Sequence, residues 1–388
     1  MKRIIKNFLR SYCPNIPALR KWLSSVKLKE INRYTMPRED VLLGEASEKG
    51  QNEIVAKYAA KWPEYTIELE EKYREYASRC EPVRLRKDQD ELRNKVLFAC
   101  FAYGFLPDEF FAYELEGKTP AERKNYISNT ELSNYIYKLN DIIDVGIFFD
   151  KYKTYERYKE YFKRDAVGIE KQSDYAKFCE FVKKHPIFVQ KRVELSKGRG
   201  VTLVDSENCG QSVRQLFDDM LAEGRHIVEE RVIQSLYMAR LSKKSVNTVR
   251  CMTFFTNCGV QIGPCIFKMG RGDSFVDNGG AGGILVGIDR ETGQLVTDGF
   301  DEFCNSYQEH PDTHITIKGF QLPQWDMLTD LTKKLAKDIP TVRYIGWDLA
   351  HTENGWVIIE GNGSGQFILP QLVWRRGFKE DIDQLINS

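Results

Sequence analysis

The distribution of glycine and of β-branched residues changes near His185 and Pro186, and this change restricts the fold more than any other feature of the 388-residue chain. Before it, residues 1–165 contain few glycines and repeat their apolar side chains at helical spacing, which predicts one helix after another. After it, short runs rich in valine, isoleucine and threonine alternate with a period of two between glycines, as strands do. We therefore expect an α+β fold with mainly antiparallel strands.

Individual helices and strands can be assigned from these patterns. In the first part we predict helices over 61–82, 88–105 and 119–140, the last with Thr119 as N-cap and Pro120 in the first turn. The later elements are expected to be helices 209–224 and 324–339 and strands 187–193, 200–206, 226–233, 247–255, 259–269, 282–289, 344–350 and 355–362. One aromatic stripe at helical spacing is expected to be core packing and not a cofactor site: Tyr152, Tyr155, Tyr158 and Phe162.

The composition argues against several classes of protein. Lysine and arginine number 57 against 56 aspartate and glutamate residues, a balance that argues against a dedicated nucleic-acid-binding protein. The nine cysteines lack the CxxC or Cys/His spacing of a zinc site, so we expect reduced thiols and a cytoplasmic protein. The longest apolar stretch, 96–106, is about half as long as the roughly 20 residues of a membrane-spanning helix.

The first 33 residues carry nine basic side chains and one acidic one, a charge of +8. On a helix, the apolar residues at 4, 5, 8 and 9 would lie opposite Lys2, Lys6 and Arg10, as in helices that lie on an anionic membrane surface. One reading is that residues 2–12 contact the inner face of a membrane. The alternative is an ordinary first helix whose apolar side packs on the protein, and the sequence leaves both readings open.

Three oxygen-bearing side chains near the C-terminus predict a metal site: Asp348, Glu360 and Asn362. The strands that carry the two acids are joined by the turn-rich segment 351–355, and a hairpin would bring the carboxylates together. Like charges repel at such distances unless a cation lies between them. Carboxylate and amide oxygens suit Mg²⁺ that also binds nucleotide phosphates. From these residues alone, two solvent-facing acids at strand ends are the alternative.

Asp348, followed 12 positions later by Glu360-Gly361-Asn362, resembles the magnesium signature of the ATP-grasp superfamily. This resemblance implies ATP as the nucleotide and Mg²⁺ as the metal, with two ions expected and Mn²⁺ as a substitute. More narrowly, the chain resembles the sugar-transfer associated ATP-grasp proteins over about residues 95–375. The matching segments are SVNTVR, VDNGGAGG, HPDTHITIKGFQLPQW, IGWDLA and IIEGN, with LPDEFFAYELEGKTPAERKNYIS upstream of them. That resemblance implies a setting in surface polysaccharide or glycoconjugate biosynthesis.

The resemblance also implies an ATP-grasp fold with a particular division of the chain. A mainly helical N-terminal region with a basic amphipathic start would comprise residues 1–145. The small ATP-grasp lobe would comprise 146–229, and the large lobe with the metal site would comprise 230–388. Both lobes would be α+β with antiparallel sheets, and ATP would lie between them.

The residues that approach the transferring phosphate are implied by likeness to the glutamate-adding ligases of the superfamily. In those ligases an arginine on one strand and an asparagine before a glycine pair on the next take this role, and the matching residues here are Arg250 and Asn278. Lys268 and Arg271 would be further cations. Arginine offers a planar fork to phosphate oxygens, and the glycine-rich run 279–283 would let backbone amides come close.

Nucleotide-binding residues are implied at a hinge, at a strand end and in a loop. Backbone groups around Glu230, Arg231 and Val232 would read the adenine edge, while a glutamate there or Asn247 would contact ribose or metal-bound phosphate. Lysine ammonium groups and the amides of a glycine-containing loop would bind the phosphates. The residues implied for that purpose are Lys151, Lys191, Ser196, Lys197, Gly198 and Gly200.

The implied reaction is that of an ATP-dependent carboxylate–amine ligase, in which a carboxylate attacks the γ-phosphate and an amine captures the acyl phosphate. Expected partners are a small-molecule carboxylate and an amine or sugar-linked acceptor, and a homodimer is left open. Two alternatives remain: an ATP-dependent phosphotransferase, that is, a small-molecule or sugar kinase, on the same fold, and a non-catalytic nucleotide-binding module of a glycan assembly complex. His310 and His314 are candidates for acid–base groups near the acceptor, although histidines in a polar loop are usually solvated.

Overall fold

The computed structural model describes residues 16–195, 200–275, 277 and 282–388. Its α-helices, numbered in chain order, are α1 Pro17–Ile31, α2 Arg38–Ala46, α3 Glu48–Lys61, α4 Pro63–Arg79, α5 Glu81–Arg84, α6 Gln89–Tyr103, α7 Pro107–Ala112, α8 Pro120–Asn125, α9 Asn129–Leu139, α10 Lys151–Phe162, α11 Tyr175–Lys184, α12 Val213–Glu223, α13 Leu236–Ala239, α14 Trp325–Lys337, α15 Ile368–Trp374 and α16 Lys379–Asn387. Its strands are β1 Ala166–Ile169, β2 Ile187–Arg192, β3 Val201–Asp205, β4 His226–Glu230, β5 Thr248–Thr256, β6 Gly259–Met269, β7 Ile284–Ile288, β8 Gly299–Phe300, β9 Ser306–Tyr307, β10 Tyr344–Thr352 and β11 Gly355–Asn362.

The chain divides into two compact units. The helical unit comprises the described part of Met1–Ile143, with Phe303–Asn305 and Gln366–Ser388. The sheet unit comprises the described parts of Asp144–Glu302 and Ser306–Gly365. The predicted boundary after residue 145 falls close to this division. The C-terminal segment was assigned to the large lobe from the sequence, and its grouping with the helical unit corrects that part of the prediction.

The predicted helix over 119–140 is two helices, and Gln371 explains both the break and the position of the C-terminal segment. Thr119 caps α8 as expected, because its hydroxyl accepts from the Glu122 N–H and the Glu122 carboxylate accepts from the Thr119 N–H. Between α8 and α9, Ile127 donates its N–H to Gln371 Oε1 at 2.7 Å and its carbonyl accepts from Gln371 Nε2 at 3.0 Å. These bonds take the place of helical ones, so the chain turns here.

Helix α6 is the centre of the helical unit. All six residues of Val96–Phe101 are buried, so the longest apolar stretch of the sequence is a core helix. Gly104 ends the helix in the left-handed region at φ 73°, and its N–H donates to the Cys100 carbonyl at 3.0 Å. Among the helices of the described ranges, none has both the length and the apolar character needed to cross a membrane.

The sheet unit contains two antiparallel sheets. The small sheet has the order β1-β4-β2-β3 and the large sheet the order β11-β10-β5-β6-β7-β8-β9. Every strand pair among the described residues is antiparallel, which confirms the predicted α+β class. Helices α11 and α12 pack on the small sheet, and α10 and α14 pack on the large one. The aromatic stripe of α10 belongs to this core, as expected: Tyr155, Tyr158 and Phe162 are buried and Tyr152 packs against them.

Strand β1 and helix α11 were not predicted from the sequence. β1 has only four residues and includes Gly168, so it lacks the run of β-branched residues that indicates a strand. The glycine is needed because a Cβ there would lie 2.9 Å from Cδ1 of the Tyr152 ring on α10. The close approach of helix and strand, which the sequence does not reveal, fixes this edge of the small sheet.

Candidate functional site

A cavity of about 190 Å³ lies within the sheet unit, with walls from the small sheet and from the large sheet. Eight of the residues predicted from the sequence line it: Lys151, Lys191, Glu230, Arg231, Val232, Lys268, Asp348 and Glu360. Apolar side chains complete the walls, among them Val189, Leu203 and Ile359. A second cavity of about 600 Å³ lies within the helical unit, and none of the predicted site residues that the structure describes lines it.

Asp348 lies at the floor of the sheet-unit cavity. Strand β10 runs between β5 and β11, so Asp348 stands opposite Arg250 on one side and opposite Glu360 on the other. Its Oδ1 accepts from Arg250 Nε at 2.7 Å, and its Oδ2 accepts from Arg250 Nη2 at 2.6 Å and from Lys268 Nζ at 3.2 Å. Burial alone would raise the pKa of Asp348, but the two cations outweigh it and the pKa is lowered. The carboxylate is therefore ionised and bound on both oxygens.

Asp277 is a second buried acid of this floor, and the sequence analysis missed it. Its Oδ1 lies 3.8 Å from Lys268 Nζ, and its Oδ2 accepts from the Thr248 hydroxyl. Burial raises the pKa of this carboxyl, while Lys268 opposes the shift. Asn278, the neighbouring residue that was predicted for the transferring phosphate, lies outside the described residues. The position next to a predicted residue was the only signal in the sequence for Asp277.

Glu360 and Asn362 are two positions apart on β11 and therefore share one face of the sheet. Glu360 Oε1 lies 3.9 Å from Lys151 Nζ. Within the described ranges, the buried Nδ2 of Asn362 has no hydrogen-bond partner. Gly346 stands opposite Asn362 in the register, and a Cβ added to it would lie 3.6 Å from Arg250 Cδ and 3.9 Å from Asn362 Cβ. Since Nδ2 is a hydrogen-bond donor, an acceptor such as a phosphate oxygen would satisfy it.

The two predicted phosphate-binding lysines enter the cavity from different elements. Lys151 opens α10, where Asp150 is the N-cap, and its ammonium group donates to the carbonyls of Val193, at 3.4 Å, and Leu195. Burial lowers the pKa of Lys151. Lys191 is close to the end of β2 and pairs with Glu229 Oε1 at 2.8 Å. Both ammonium groups are therefore positioned by other residues of the sheet unit.

Glu229 and Arg164 form a buried ion pair at the cavity wall that no motif in the sequence indicated. Arg164 Nε donates to Glu229 Oε2 at 2.8 Å, and Nη2 donates to the same oxygen. Burial alone would raise the pKa of Glu229, but Arg164 and Lys191 lower it to about 2. The only signal was a glutamate among the hydrophobic residues of β4, where a buried charge requires a partner.

The predicted hinge lies at the cavity, whereas most of the predicted phosphate loop lies outside the described residues. Glu230, which ends β4, and the following Arg231 and Val232 line the cavity. The loop residues Ser196, Lys197 and Gly198 lie outside the described residues. Gly200 adopts φ 67°, and its carbonyl accepts from the Arg192 N–H at the end of β2 at 3.1 Å.

Two of the predicted site residues, Asn247 and Arg271, form hydrogen bonds away from the cavity. Asn247 is fully buried, and its Nδ2 donates to the carbonyls of Met238 at 2.8 Å and Ser242 at 3.3 Å. Its amide holds the chain before β5, and Asn247 does not line the cavity, unlike the eight predicted residues named above. Arg271 does not line the cavity; its guanidinium donates to Asp301 Oδ2 at 3.2 Å and to the Tyr307 hydroxyl.

The two histidines suggested as acid–base groups do not line the cavity either. His310 is fully buried, with Nε2 2.9 Å from the Gly270 carbonyl and Nδ1 accepting from the Asp312 N–H at 3.2 Å. Both ring nitrogens are thus used to hold the loop. His314 is exposed and donates its backbone N–H to the His310 carbonyl at 2.8 Å.

The lining of the cavity has more cations than carboxylates. Six cations and five carboxylates line it, and Arg250 adds a further cation beside Asp348. The cations are Lys151, Arg164, Lys191, Arg231, Lys244 and Lys268, and the carboxylates are Glu229, Glu230, Asp277, Asp348 and Glu360. Interleaved charges with a positive excess suit a polyanion whose oxygens can replace carboxylates as partners of lysine and arginine.

Comparison with known proteins assigns this chain to a protein family. Residues 131–386 match the profile of the family described as sugar-transfer associated ATP-grasp. The chain belongs to this family. The ATP-grasp fold that the sequence signature implied is thereby confirmed, with the two antiparallel sheets of the sheet unit inside the matched region. No curated protein is similar enough to count as a relative.

Several solved structures are similar to this ATP-grasp chain. D-alanyl-alanine synthetase A from Vibrio cholerae shares 12% identity, with 63% of this chain and 66% of that one covered and a TM-score of 0.41. The ATP-grasp ligase PsnB with its minimal precursor shares 11% identity, with 59% and 55% covered and a TM-score of 0.36. D-alanine–D-alanine ligase from Bacillus anthracis with ATP shares 14% identity, with 58% and 56% covered and a TM-score of 0.34. In each case less than two thirds of the other chain is matched.

The residues present fit the metal that the family implies. Asp348, Glu360 and Asn362 offer carboxylate and amide oxygens, the ligands that Mg²⁺ prefers. The unpartnered Nδ2 of Asn362 is a hydrogen-bond donor, so it indicates an acceptor such as a phosphate oxygen and not the metal itself. Arg250 and Lys268 pair with Asp348, and phosphate oxygens would offer these two side chains alternative partners.

Proposed function

We propose that this chain is an ATP- and Mg²⁺-dependent carboxylate–amine ligase that acts through an acyl phosphate. The observation that carries the proposal is the arrangement at Asp348, where family metal residues and phosphate-type cations meet in one buried cluster at the floor of a cavity. The apolar walls suit a flat base, and the excess of cations suits a triphosphate. Membership of an ATP-grasp family supports the nucleotide.

The cations at the cavity have distinct parts in this proposal. Lys151, at the start of α10, and Lys191, on β2, would bind phosphate oxygens as point charges. Arg250 and Lys268 would exchange the Asp348 carboxylate for the γ-phosphate, where negative charge is redistributed during transfer. All four side chains are already held at or beside the cavity by neighbours, and the phosphates would replace some of these partners.

Asp348, Glu360 and Asn362 would hold Mg²⁺, and two ions are our expectation. When bound, the metal neutralises phosphate charge and polarises the transferring group. The contribution of the chain is to fix these oxygens on adjacent strands, in the register that places Asp348 opposite Glu360. Mn²⁺ would serve as a substitute, because it accepts the same oxygen ligands.

The chemistry proceeds in two steps. A substrate carboxylate oxygen forms a bond to the γ-phosphorus while the bond from that phosphorus to the β–γ bridging oxygen breaks, which releases ADP. An amine nitrogen then attacks the acyl carbon, inorganic phosphate leaves, and the nitrogen loses a proton. An ionised carboxylate needs no general base in the first step. The name of the family supports a sugar-linked acceptor and a setting in surface polysaccharide or glycoconjugate biosynthesis.

The location and assembly of the protein stay predictions. A cytoplasmic site at the inner face of a membrane rests on the cysteine pattern and on residues 2–12, which lie outside the described residues. A homodimer also stays a prediction.

The test combines binding, turnover and trapping. Wild-type protein is titrated with AMPPNP with and without Mg²⁺, and ADP release is then screened against pairs of carboxylates and amines, including uronic acids and nucleotide sugars. Hydroxylamine should consume the acyl phosphate of a ligase, whereas a kinase would leave a stable phosphoester. Tight AMPPNP binding without ADP release for any pair would instead favour a non-catalytic module.

A variant pair tests the metal assignment. Glu360→Gln should lower ADP release at least about 100-fold, because a neutral amide is a poor ligand for Mg²⁺. The control is Glu353→Gln at the exposed turn of the same hairpin, which should retain wild-type turnover. Wild-type activity in Glu360→Gln would refute the metal site.

A further inference from the structure

We propose that Arg164 is a positioning residue that sets Lys191 and Glu360 in one arrangement, so that the nucleotide and metal parts of the site are coupled. The inference rests on the proposed function, since it concerns the same cavity. Arg164 lies between α10 and β1, outside every motif that indicated the site. It touches neither of the two residues that it would position, and acts instead through Glu229 and through the backbone of β11.

The guanidinium fork of Arg164 is used on both sides. Towards the small sheet, Nε and Nη2 donate to Glu229 Oε2, the former at 2.8 Å. Towards the large sheet, Nη1 donates to the Ile358 carbonyl at 2.5 Å, and Nη2 lies 3.5 Å from the Ile359 carbonyl. A single planar group, nearly fully buried, therefore bonds a strand of each sheet at once.

The contact on the large sheet falls on a defect in the strand pairing. Asp348 pairs with Glu360, but the next residue of β10, Leu349, pairs with Ile358, so Ile359 is an extra residue in β11. A bulge of this kind removes backbone groups from the ladder and re-aims the neighbouring side chains. Arg164 binds the carbonyls at the bulge, immediately before Glu360, and so fixes the direction in which Glu360 leaves the strand.

On the small sheet, the bond of Arg164 to Glu229 fixes the position of Lys191. The two oxygens of Glu229 have different partners, because Oε2 is held by Arg164 and Oε1 pairs with Lys191 Nζ at 2.8 Å. With Oε2 held by the fork, the position of Oε1 is set, and with it the position of the ammonium group. Without Arg164, the carboxylate would be free to rotate towards Lys191 alone.

Lysine could not take the place of Arg164 in this arrangement. Its single ammonium group is a point charge with no planar fork, so it could neutralise Glu229 but could not also bind the carbonyls of Ile358 and Ile359 in the observed directions. Arg164→Lys therefore keeps the charge that the buried glutamate needs and removes only the link between the sheets. That property makes it the variant of choice.

The experiment measures two constants for each variant: the dissociation constant of AMPPNP without divalent metal, and the Mg²⁺ concentration that gives half-maximal AMPPNP binding. We expect Arg164→Lys to raise both, the metal constant by roughly 10- to 100-fold, as is usual when a group that orients a metal ligand is lost. Lys191→Met, which leaves the link to β11 intact, should raise the AMPPNP constant and leave the metal midpoint within about twofold. In the Lys191→Met background, Arg164→Lys should still shift the metal midpoint.

The matched control is Arg157→Lys on α10. Arg157 also binds with its fork, donating to Asp338 Oδ2 at 2.6 Å and to the Asp338 carbonyl at 2.9 Å, but it does not line the cavity. Both constants should stay at their wild-type values. A purely structural role for Arg164 would lower the unfolding midpoint and leave the metal midpoint unchanged in the folded protein, and that result would overturn the proposal.

A second variant covers the case in which Arg164→Lys does not fold. Glu229→Asp keeps both charges and shortens the side chain by one methylene, so it should fold and show the same joint shift of the two constants. If neither variant folds, the network is structural and the proposal is rejected. Failure of the proposed function would look different, because wild-type protein itself would then not bind AMPPNP, or would bind it without any effect of Mg²⁺.

Discussion

The helical unit and the sheet unit each bury a glutamate side chain, and the two carboxyl groups are stabilised in opposite ways. In the helical unit, Glu109 Oε2 accepts from the backbone N–H groups of Leu106 at 2.8 Å and Asn129 at 3.0 Å. Burial raises the pKa of Glu109 to about 8, although the two bonds oppose the shift. In the sheet unit, burial would also raise the pKa of Glu229, but Arg164 and Lys191 lower it to about 2.

The difference shows what each environment is built for. Glu109 joins the N-termini of α7 and α9 through backbone bonds that a neutral carboxyl group also makes, so it needs no cation. Glu229 is ionised in a place where burial is costly, and two cations have to be buried with it. A fold does not need such a cluster for stability, since apolar residues of the same size often stabilise more. The cluster is explained by the cavity it borders.

The largest effect is expected from Glu229→Gln. Near pH 7 the variant should lose about 3–5 kcal/mol of unfolding free energy, because Arg164 and Lys191 are left buried without their carboxylate. The contribution of Glu229 is present above its ordinary pKa of 4.5 and is lost as the pH falls from there to about 2, so the difference from wild type should shrink towards pH 3. Urea unfolding at several pH values measures it.

The control for that measurement is Glu170→Gln. Glu170 is an exposed acid of the same unit that pairs with Arg225 at 2.7 Å, and its loss should change stability by less than about 1 kcal/mol. If Glu229→Gln proves as stable as wild type at pH 7, the ion pairs do not stabilise the sheet unit and the contrast with Glu109 disappears.

Much of the fold and part of the site followed from sequence pattern. The strand period and the turn at 351–355 predicted the hairpin that places Asp348 opposite Glu360, and the glycine and β-branched pattern predicted most strands to within a few residues. These features depend on local spacing, which the sequence displays directly. The division of the chain was less accessible, because the C-terminal segment joins the helical unit through contacts between residues far apart in sequence, such as the bonds of Gln371 to Ile127.

The rest of the site depends on partners that are distant in the chain. Arg164 and Glu229 are 65 positions apart, and nothing in either segment shows that they meet. Asn247 is the opposite case, because it has the residue type expected of a nucleotide contact while its amide Nδ2 donates to two loop carbonyls. Residue type therefore identified candidates, and only tertiary structure separated those at the cavity from those that hold loops.

Glu109→Gln should have the next largest effect, with the opposite sign. Between pH 4.5 and about 8 the folded chain keeps a proton on Glu109 that the unfolded chain releases, so wild type loses stability as the pH rises through this window. At about 1.4 kcal/mol per pH unit, the glutamine variant should exceed wild type by roughly 2–4 kcal/mol at pH 8.5 and differ little at pH 5. Denaturant unfolding at the two pH values measures this difference in unfolding free energy.

The glutamine side chain is a fair replacement because its oxygen can accept the same two backbone bonds. Glu53→Gln on α3, an exposed position of the same unit, is the control and should stay within about 0.5 kcal/mol of wild type at both pH values. A Glu109→Gln protein that is less stable than wild type at pH 8.5 would mean that burial does not raise the pKa of Glu109, and the contrast with Glu229 would disappear.

The smallest expected effect is a local change in amide hydrogen exchange when a polyanion binds. It tests whether only the sheet unit responds. AMPPNP with Mg²⁺ at 100 times its dissociation constant should slow amide hydrogen exchange in β2, β4, β10 and β11 by up to about 2.7 kcal/mol of opening free energy, and leave α4 and α6 unchanged. Inorganic tripolyphosphate should protect β10 and β11 as well, though less, because it offers charge without a base. In Glu360→Gln the part of the protection that depends on Mg²⁺ should be lost. Equal protection of α6, or none in β10 and β11, would contradict a cavity whose buried charges are arranged for phosphate.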